Sequence, residues 1–362
     1  MEKVKVKSGE EFKILVIQQK MIGDVLVSSL ICENLKLNYP RAKIHYLVNR
    51  FTIPVIENNP YIDEVIVFEE AYRSSKMEFY TFLNSIRKAN YDVVIDAYGK
   101  LESNLTVLFS GAKIKISWDK PVNKLICTST VKISKQSEIG LGSAIENRLN
   151  LVKAFKHSKI LSQQPKIHLT KDELDAARKR ITGLQSKTEE SILMISALGS
   201  HETKTYPLPY MAKVLDYIVS HSNTLLLLNY MPSQQDAIEM LYSLCEKNTQ
   251  KKILLDFKMR SLREFMSIST FCKAIIGNEG GAINMGKALD VPTFSIFSPG
   301  INKEGWNGLE DQNLTHASVH LKDYEPDLFL DKSEKISTEM YAKLKPELFF
   351  DVLKGFLAQH AD

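Results

Sequence analysis

The apolar run Cys272-Lys273-Ala274-Ile275-Ile276 leads into Gly277-Asn278-Glu279-Gly280-Gly281-Ala282-Ile283-Asn284-Met285-Gly286-Lys287-Ala288-Leu289. A second apolar run, Pro292-Thr293-Phe294-Ser295-Ile296-Phe297, follows and closes on Ser298-Pro299-Gly300. Each run has the length of a short buried strand, and Ile283, Met285, Ala288 and Leu289 fit the packed face of a helix between them. Strand, glycine turn, helix and strand is the repeating unit of a parallel α/β sheet. Paired glycines at such a turn let a ligand come close to the backbone. The first N–H groups of the helix are unpaired within it and carry partial positive charge, which suits a phosphate. A plain helix turn in an α/β domain looks the same locally, so both readings stand.

Working outward, the same alternation fills the second half of the chain. Residues 191–195, 225–228 and 253–255 read as strands, and residues 171–182, 208–220, 233–246 and 262–269 as helices. The first half repeats it. Strands are expected at 12–17, 43–48, 64–68, 93–96 and 113–118, and helices at 24–38, 76–89, 101–109 and 144–155. Residues 119–143 have weak periodicity and read as a long loop. Residues 338–359 read as one amphipathic helix with Tyr341, Leu344, Leu348, Phe349, Val352 and Phe356 available for packing. The expected fold class is therefore α/β, with two successive doubly wound units. Their expected bounds are 1–165 and 166–337, with a C-terminal helix over 338–362 packing near the domain junction. Ligands of such sheets bind beyond the carboxyl ends of the strands, and with two units the expected site is the cleft between them.

The bulk numbers fit this picture. The chain has 362 residues, 44% hydrophobic and 25% charged, as a soluble globular protein should. No apolar run reaches the ~18 residues that span a bilayer. The charged first 13 residues lack the apolar core of a signal peptide, which makes a cytoplasmic location the expectation. Cys32, Cys127, Cys245 and Cys272 are widely spaced and read as thiols, not as metal ligands or a disulfide framework. The eight histidines form no metal-ligand pattern, and His201 reads as a surface loop residue. Charge is uneven. Residues 1–165 carry 24 Lys and Arg against 17 Asp and Glu, while the remainder carries 23 against 26. Lys113, Lys115, Lys120, Lys124, Lys132 and Lys135 have only Asp119 among them, which gives either a basic surface for an anionic partner or a solvated lysine-rich loop. No nucleic-acid motif is present, and a nucleic-acid partner is not expected.

Two further spots carry chemistry. Gly23-Asp24 follows the first strand, where a carboxylate can take a proton from an attacking hydroxyl. Asp is also a common helix N-cap, and locally the cap is the preferred reading. Gly199-Ser200-His201-Glu202-Thr203-Lys204-Thr205-Tyr206-Pro207 fills the loop after residues 191–195. Ser200, Thr203 and Lys204 can hold phosphate oxygens, the lysine as a point charge. The order of a P-loop is absent, and no dinucleotide fingerprint follows the first strand.

At these spots the sequence resembles glycosyltransferase family 9, the ADP-heptose:lipopolysaccharide heptosyltransferases. The likeness lies in Ile14-Leu15-Val16-Ile17 with Ile22-Gly23-Asp24-Val25-Leu26, in Tyr91-Asp92-Val93-Val94-Ile95-Asp96, and in Gly199-Ser200 with Thr203-Lys204 and Pro207. It continues in Lys258-Met259-Arg260-Ser261-Leu262, and in Asn278-Glu279-Gly280-Gly281 through Phe297-Ser298-Pro299. The resemblance implies a GT-B fold, two facing Rossmann-like domains with the acceptor on the first and the nucleotide sugar on the second. It implies inverting, metal-independent transfer of a heptose from ADP-heptose to a lipopolysaccharide core, with no cofactor. By position Asp24 matches the catalytic base, and Lys204 the lysine that contacts the donor's phosphate and sugar. Gly23, Ser200, Thr203, Met259, Glu279, Gly280, Gly281 and Asn284 match donor-site positions. An anionic glycolipid acceptor would suit the basic surface and would bring the protein to the inner membrane face as a peripheral contact. The family usually has Asp-Ser/Thr-Gly where this chain has Glu279-Gly280-Gly281, His where it has Asn284, and often Arg where it has Gln18. These departures keep two alternatives open: another nucleotide sugar, or a non-catalytic nucleotide or glycan binder. The ribose partner is open among Gln234, Gln235 and Asp236.

Overall fold

The computed structural model of the chain describes residues 11–185, 190–308, 314–329 and 338–361. These fall into two compact units. One runs to His168 and includes Glu304–Gly308, and the other takes the remainder from Leu169.

The first unit is built on β1 (Lys13–Ile17), α1 (Ile22–Asn38), β2 (Lys43–Asn49), β3 (Glu64–Phe68), α2 (Ala71–Ser74) and α3 (Lys76–Lys88). It continues with β4 (Val93–Asp96), α4 (Leu101–Phe109), β5 (Ile114–Trp118), α5 (Pro121–Ile126), β6 (Ser129–Val131) and α6 (Ser143–Val152). The strands form one parallel sheet in the order β3-β2-β1-β4-β5-β6. Ile14, Leu15, Val16 and Ile17 are all buried, as a strand covered on both faces requires. On α3 the buried residues are Phe82, Leu83 and Ile86, one helical face against the sheet. Residues 119–143 depart from the expected loop, since they contain α5 and β6. A six-residue helix and a three-residue edge strand are too short to leave a periodic signature.

The second unit contains α7 (Lys171–Gln185), β7 (Ser191–Ser196), α8 (Leu208–His221), β8 (Thr224–Leu228), α9 (Gln235–Leu244), α10 (Lys247–Lys252) and α11 (Leu262–Ser269). Then come β9 (Ala274–Asn278), α12 (Gly281–Ala288), β10 (Thr293–Phe297), β11 (His316–His320), α14 (Thr338–Tyr341) and α15 (Phe350–His360); α13 (Lys303–Trp306), between β10 and β11 in sequence, belongs from Glu304 onward to the first unit. Its parallel sheet runs β11-β10-β9-β7-β8. On α8, Met211, Val214, Leu215 and Ile218 are buried at helical spacing. Residues 253–255 are not a strand; a single parallel bridge joins Ile253 to Leu226. The helix expected over 338–359 is broken into α14, a short 3-10 turn Pro346–Leu348 and α15. Pro346 supplies the break, because its ring lacks the N–H an α-helix needs. Tyr341, Leu344, Phe349 and Phe356 still join the core of this unit.

Parallel strands put all their carboxyl ends on one edge, so register fixes which loops meet. In the first sheet Ile17 pairs with Asp96, and Asp96 with Ser117. In the second, Ser196 pairs with Gly277, and Ile296 with Asn278. Cys32, Cys245 and Cys272 are buried free thiols, and Cys127 is a half-buried one.

Candidate active site

On the first unit, Asp24 is not the N-cap that local reading prefers. Met21 holds that position, and Asp24 lies within the first turn of α1, only 5% exposed. Its partners come from elsewhere. Arg148, on α6, donates from Nη2 to Asp24 Oδ1 at 3.0 Å, and Lys20 Nζ reaches the same oxygen at 3.2 Å. Arg148 also donates to Ser28 Oγ at 3.3 Å and, from Nη1, to the Ala144 carbonyl at 3.2 Å. Burial lowers the pKa of this guanidinium, and the charge of Asp24 opposes that shift. Both contacts to Asp24 fall on Oδ1, so among the described residues Oδ2 has no hydrogen-bond donor. Gly23, half-buried, precedes it in the same turn.

Around Ser28, which Arg148 also reaches, lie buried amide atoms without hydrogen-bond partners among the described residues. Gln18 Nε2 donates to Ser28 Oγ and to the Ala97 carbonyl, but its Oε1 is buried without a partner among the described residues. Both polar atoms of the Gln19 side chain are buried without a partner among the described residues, as is Asn49 Oδ1. Asn49 Nδ2 donates to the Gln19 carbonyl at 2.9 Å, so these groups are neighbours. Buried amides of this kind require water or another hydroxyl to complete them.

On the second unit, the turn carrying Ser200, Thr203 and Lys204 is tied down by its surroundings. Thr205 Oγ1 accepts from Gly199 N at 3.1 Å and donates to the His201 carbonyl at 3.0 Å. Gln234 Nε2 donates to the Gly199 carbonyl at 3.2 Å, and Ser298 Oγ to the Thr203 carbonyl at 2.9 Å. The buried side chain of Asn278 does most. Its Oδ1 accepts from Tyr206 N at 2.7 Å, and its Nδ2 donates to the carbonyls of Ala197 at 2.7 Å and Ser196 at 3.1 Å. Thus the end of β9 fixes both ends of the turn, and Glu279, Gly280 and Gly281 follow directly beside it. Ser200, Thr203 and Lys204 are exposed, and the Lys204 ammonium has no hydrogen bond or ion pair among the described residues. Asn284 Nδ2 donates to the Gly280 carbonyl at 2.9 Å and approaches Glu279 Oε1 at 3.5 Å.

Met259 is half-buried on a separate segment. The parallel bridge at Ile253 sends this segment out beyond the carboxyl end of β8. Arg180 holds it, stacking on the Phe257 ring at 4.0 Å, donating to the Lys258 carbonyl at 3.3 Å and to Glu264 Oε1 at 2.6 Å. Of the three ribose candidates, Gln234 is committed to the Gly199 turn and Gln235 donates to Glu239 at 2.8 Å. Asp236 stays exposed in the first turn of α9.

Sequence reading missed Arg148 and Arg180, and gave Asn278 and Ser298 no separate role. The partners of Arg148 and Asn278 lie 124 and up to 82 positions away, so no local spacing signals them. Among the described residues no helix is long and apolar enough to cross a membrane, and no group of three or more His, Cys, Asp or Glu could hold a metal ion.

The sequence pattern described as glycosyltransferase family 9 (heptosyltransferase) matches residues 79–325. The chain belongs to glycosyltransferase family 9. Lipopolysaccharide heptosyltransferase 3 of Escherichia coli is 32% identical over 100 residues, a stretch covering 27% of this chain and 29% of that relative. The crystal structure of a family 9 glycosyltransferase from Veillonella parvula DSM 2008 superposes with a TM-score of 0.75 at 16% identity, covering 96% of this chain and 97% of that one. The structure of Escherichia coli ADP-heptose LPS heptosyltransferase II gives 0.71 at 16% identity, covering 96% and 99%. These likenesses bear out the expected fold, two Rossmann-like parallel-sheet units of the GT-B class. As a family 9 member the protein is a glycosyltransferase.

Proposed function

We propose that this family 9 enzyme transfers a heptose from ADP-heptose to a hydroxyl of a lipopolysaccharide core, with inversion and without a metal ion. The observation that carries the reading is the state of Asp24. Arg148 and Lys20 both hold Oδ1, and Oδ2 is left to accept a proton. In the proposed reaction the acceptor oxygen bonds to the anomeric carbon as its proton passes to Oδ2. The bond from that carbon to the diphosphate oxygen breaks, and the electron pair leaves with ADP. Lys204 and the first N–H groups of α12 would stabilise the charge that grows on the diphosphate. The remaining donor positions, Ser200, Thr203, Met259, Glu279, Gly280, Gly281 and Asn284, would hold the nucleotide sugar. The unpaired amides of Gln18, Gln19 and Asn49 suit a hydroxyl-rich acceptor.

A second reading keeps the reaction and changes the donor. Glu279, Gly280 and Asn284 depart from the usual family residues, and the Asn284 amide is already hydrogen-bonded to the Gly280 carbonyl, which supports a different donor. Calorimetric titration with ADP, UDP, GDP and CMP separates the two. Selective ADP binding that weakens in Lys204→Ala supports ADP-heptose. Preference for another nucleotide overturns that donor, and binding of none of the four points to a donor site that needs its acceptor or sugar to form, or to the non-catalytic alternative.

A further inference from the structure

The first sheet runs β3-β2-β1-β4-β5-β6, so its strand order reverses between β1 and β4. Ligands of doubly wound sheets settle in the crevice that such a reversal opens at the carboxyl edge. Asp24 stands on the β1 side of this crevice, in the first turn of α1. The turn Ala97-Tyr98-Gly99, which follows β4, stands on the other side, and the pairing of Ile17 with Asp96 brings the two strand ends level.

This turn is held from several directions. Ala97 N donates to the Ile17 carbonyl at 3.0 Å, and Asp96 Oδ1 accepts from Tyr98 N at 2.8 Å and Gly99 N at 2.9 Å. The Ala97 carbonyl accepts from Gln18 Nε2 at 3.2 Å and from Trp118 Nε1 at 2.9 Å, and the Gly99 carbonyl from Lys120 Nζ at 3.0 Å. Gly99 has φ 64°, which a glycine adopts readily. Gln18 also ties the turn to the base, because its Nε2 donates to Ser28 Oγ, and Arg148 bonds both Ser28 and Asp24.

Tyr98 is what this fixed backbone presents. Its side chain is half-buried, and among the described residues its phenol has no hydrogen bond and its ring no stacking partner. Burial raises the pKa of the phenol; the charges of Glu102, Asp96 and Asp24 add to the rise, and Arg73 opposes it. The Asp24 carboxylate is therefore within electrostatic reach of this ring. The buried Oε1 of Gln18, without a partner among the described residues, marks further unmet hydrogen-bonding capacity on the same bridge.

A tyrosine face carries negative charge density. It attracts the weakly positive C–H bonds on one face of a sugar ring and repels a phosphate, as the neighbouring carboxylate does. The phenol can exchange a hydrogen bond with a ring hydroxyl. We infer that Tyr98 is an acceptor-binding residue, its ring packed on the sugar whose hydroxyl faces Asp24, and that this sugar presents an unphosphorylated face to it. The inference rests on the reading of Asp24 as the base of a glycosyl transfer.

Calorimetry on the full chain tests it, with delipidated lipopolysaccharide core oligosaccharide as the probe and ADP as the control. Tyr98→Ala should weaken oligosaccharide binding, and raise the acceptor KM, about tenfold. ADP affinity and Tm should stay near those of the wild type. Tyr98→Phe keeps the ring and loses the hydroxyl, for about a threefold loss, and Tyr98→Trp should restore most of the affinity that Tyr98→Ala loses. Phosphatase treatment of the oligosaccharide should leave the ratio of wild type to Tyr98→Ala unchanged. Oligosaccharide affinity and acceptor KM untouched in Tyr98→Ala overturn the inference, as does absence of oligosaccharide binding by the wild type. A joint fall of oligosaccharide affinity, ADP affinity and Tm also overturns it, because that is the mark of a structural role. A ratio that vanishes on phosphatase treatment overturns it too, since Tyr98 would then be reading phosphate. If Asp24→Asn stops turnover while Tyr98→Ala changes nothing, only this inference falls. If oligosaccharide binding needs Tyr98 but no nucleotide sugar supports transfer, Tyr98 stands as a sugar contact and the proposed reaction falls.

Discussion

Arg148 Nη2 and Asp24 Oδ1 are joined at 3.0 Å across 124 positions of sequence, and the contact ties α6 to the first turn of α1. Arg148 spends its other nitrogens on Ser28 and Ala144, so its position is fixed before it meets the carboxylate. It acts on the proposed chemistry by aiming Asp24. Asp24→Asn is expected to lower kcat about 100-fold or more, because an amide cannot accept the proton. Arg148→Gln should also lower kcat, with little change in the donor KM, and the double variant should be hardly worse than Asp24→Asn alone. Breaking this buried pair should also cost roughly 3 kcal/mol of stability, read by denaturant unfolding. Additive losses in kcat would mean the two residues act separately.

Asn278 makes the corresponding prediction on the second unit. Its side chain joins the Ser196–Ala197 backbone to Tyr206 N, and so closes the turn that carries Lys204. Asn278→Ala leaves a buried N–H and two buried carbonyls to find other partners, at about 1–3 kcal/mol each for those left unsatisfied. Stability should fall, and donor KM should rise more than kcat falls, since the turn binds donor in the proposed reaction. Asn278→Asp should rescue the Tyr206 bond but not the two donated ones. Kinetic parameters unchanged in Asn278→Ala would detach the turn from donor binding.

How much of this was legible in the sequence follows from the range of each interaction. Both parallel sheets could be read, because Ile14 to Ile17 and Leu225 to Leu228 carry their burial in consecutive apolar residues. Glu279 could be placed because it follows β9 directly, and Lys204 because it lies in the polar loop between β7 and α8. β11 could not: His316, Ser318 and His320 alternate with Ala317 and Val319, and all five are buried in a strand that looks polar. Asp24 was misassigned to a cap because the arginine that holds it comes from a helix after β6, and only the fold brings the two together.

Asp96 sets a pH dependence. It is fully buried at the end of β4, where its Oδ1 accepts from Tyr98 N and Gly99 N and its Oδ2 from Ser103 Oγ. Burial pushes its carboxyl up to about 6, against those hydrogen bonds and the charge of Lys120. The folded state therefore holds this proton more tightly than the unfolded chain, whose value is near 3.8. The group's contribution favours folding at low pH and is lost as pH rises between roughly 4 and 6. Compared with Asp96→Asn, the wild-type protein should lose about 3 kcal/mol across that window. Unfolding of both proteins by urea at a series of pH values checks it; a difference that is flat or grows in favour of wild type contradicts the assignment.

Two glycines, Gly277 within β9 and Gly280 just after it, should respond oppositely to substitution. Gly277 has φ 138°, and a Cβ there would lie 2.2 Å from the Ser196 carbonyl oxygen, inside the β7–β9 pairing. The contact is with backbone, which cannot swing aside. Gly277→Ala should cost about 3 kcal/mol or more, seen as a large drop in Tm. Gly280 caps α12 with extended backbone, and a Cβ there meets nothing within 4 Å. Gly280→Ser should fold normally and gain up to about 0.5 kcal/mol, because serine is the better N-cap. It also restores a hydroxyl at the position where the family usually has one. If Gly280 faces the donor diphosphate as proposed, donor KM should fall in Gly280→Ser while Tm hardly moves. A Tm loss there comparable to that of Gly277→Ala would mean the space beside Gly280 is filled, and an unchanged KM would move the diphosphate away from this turn.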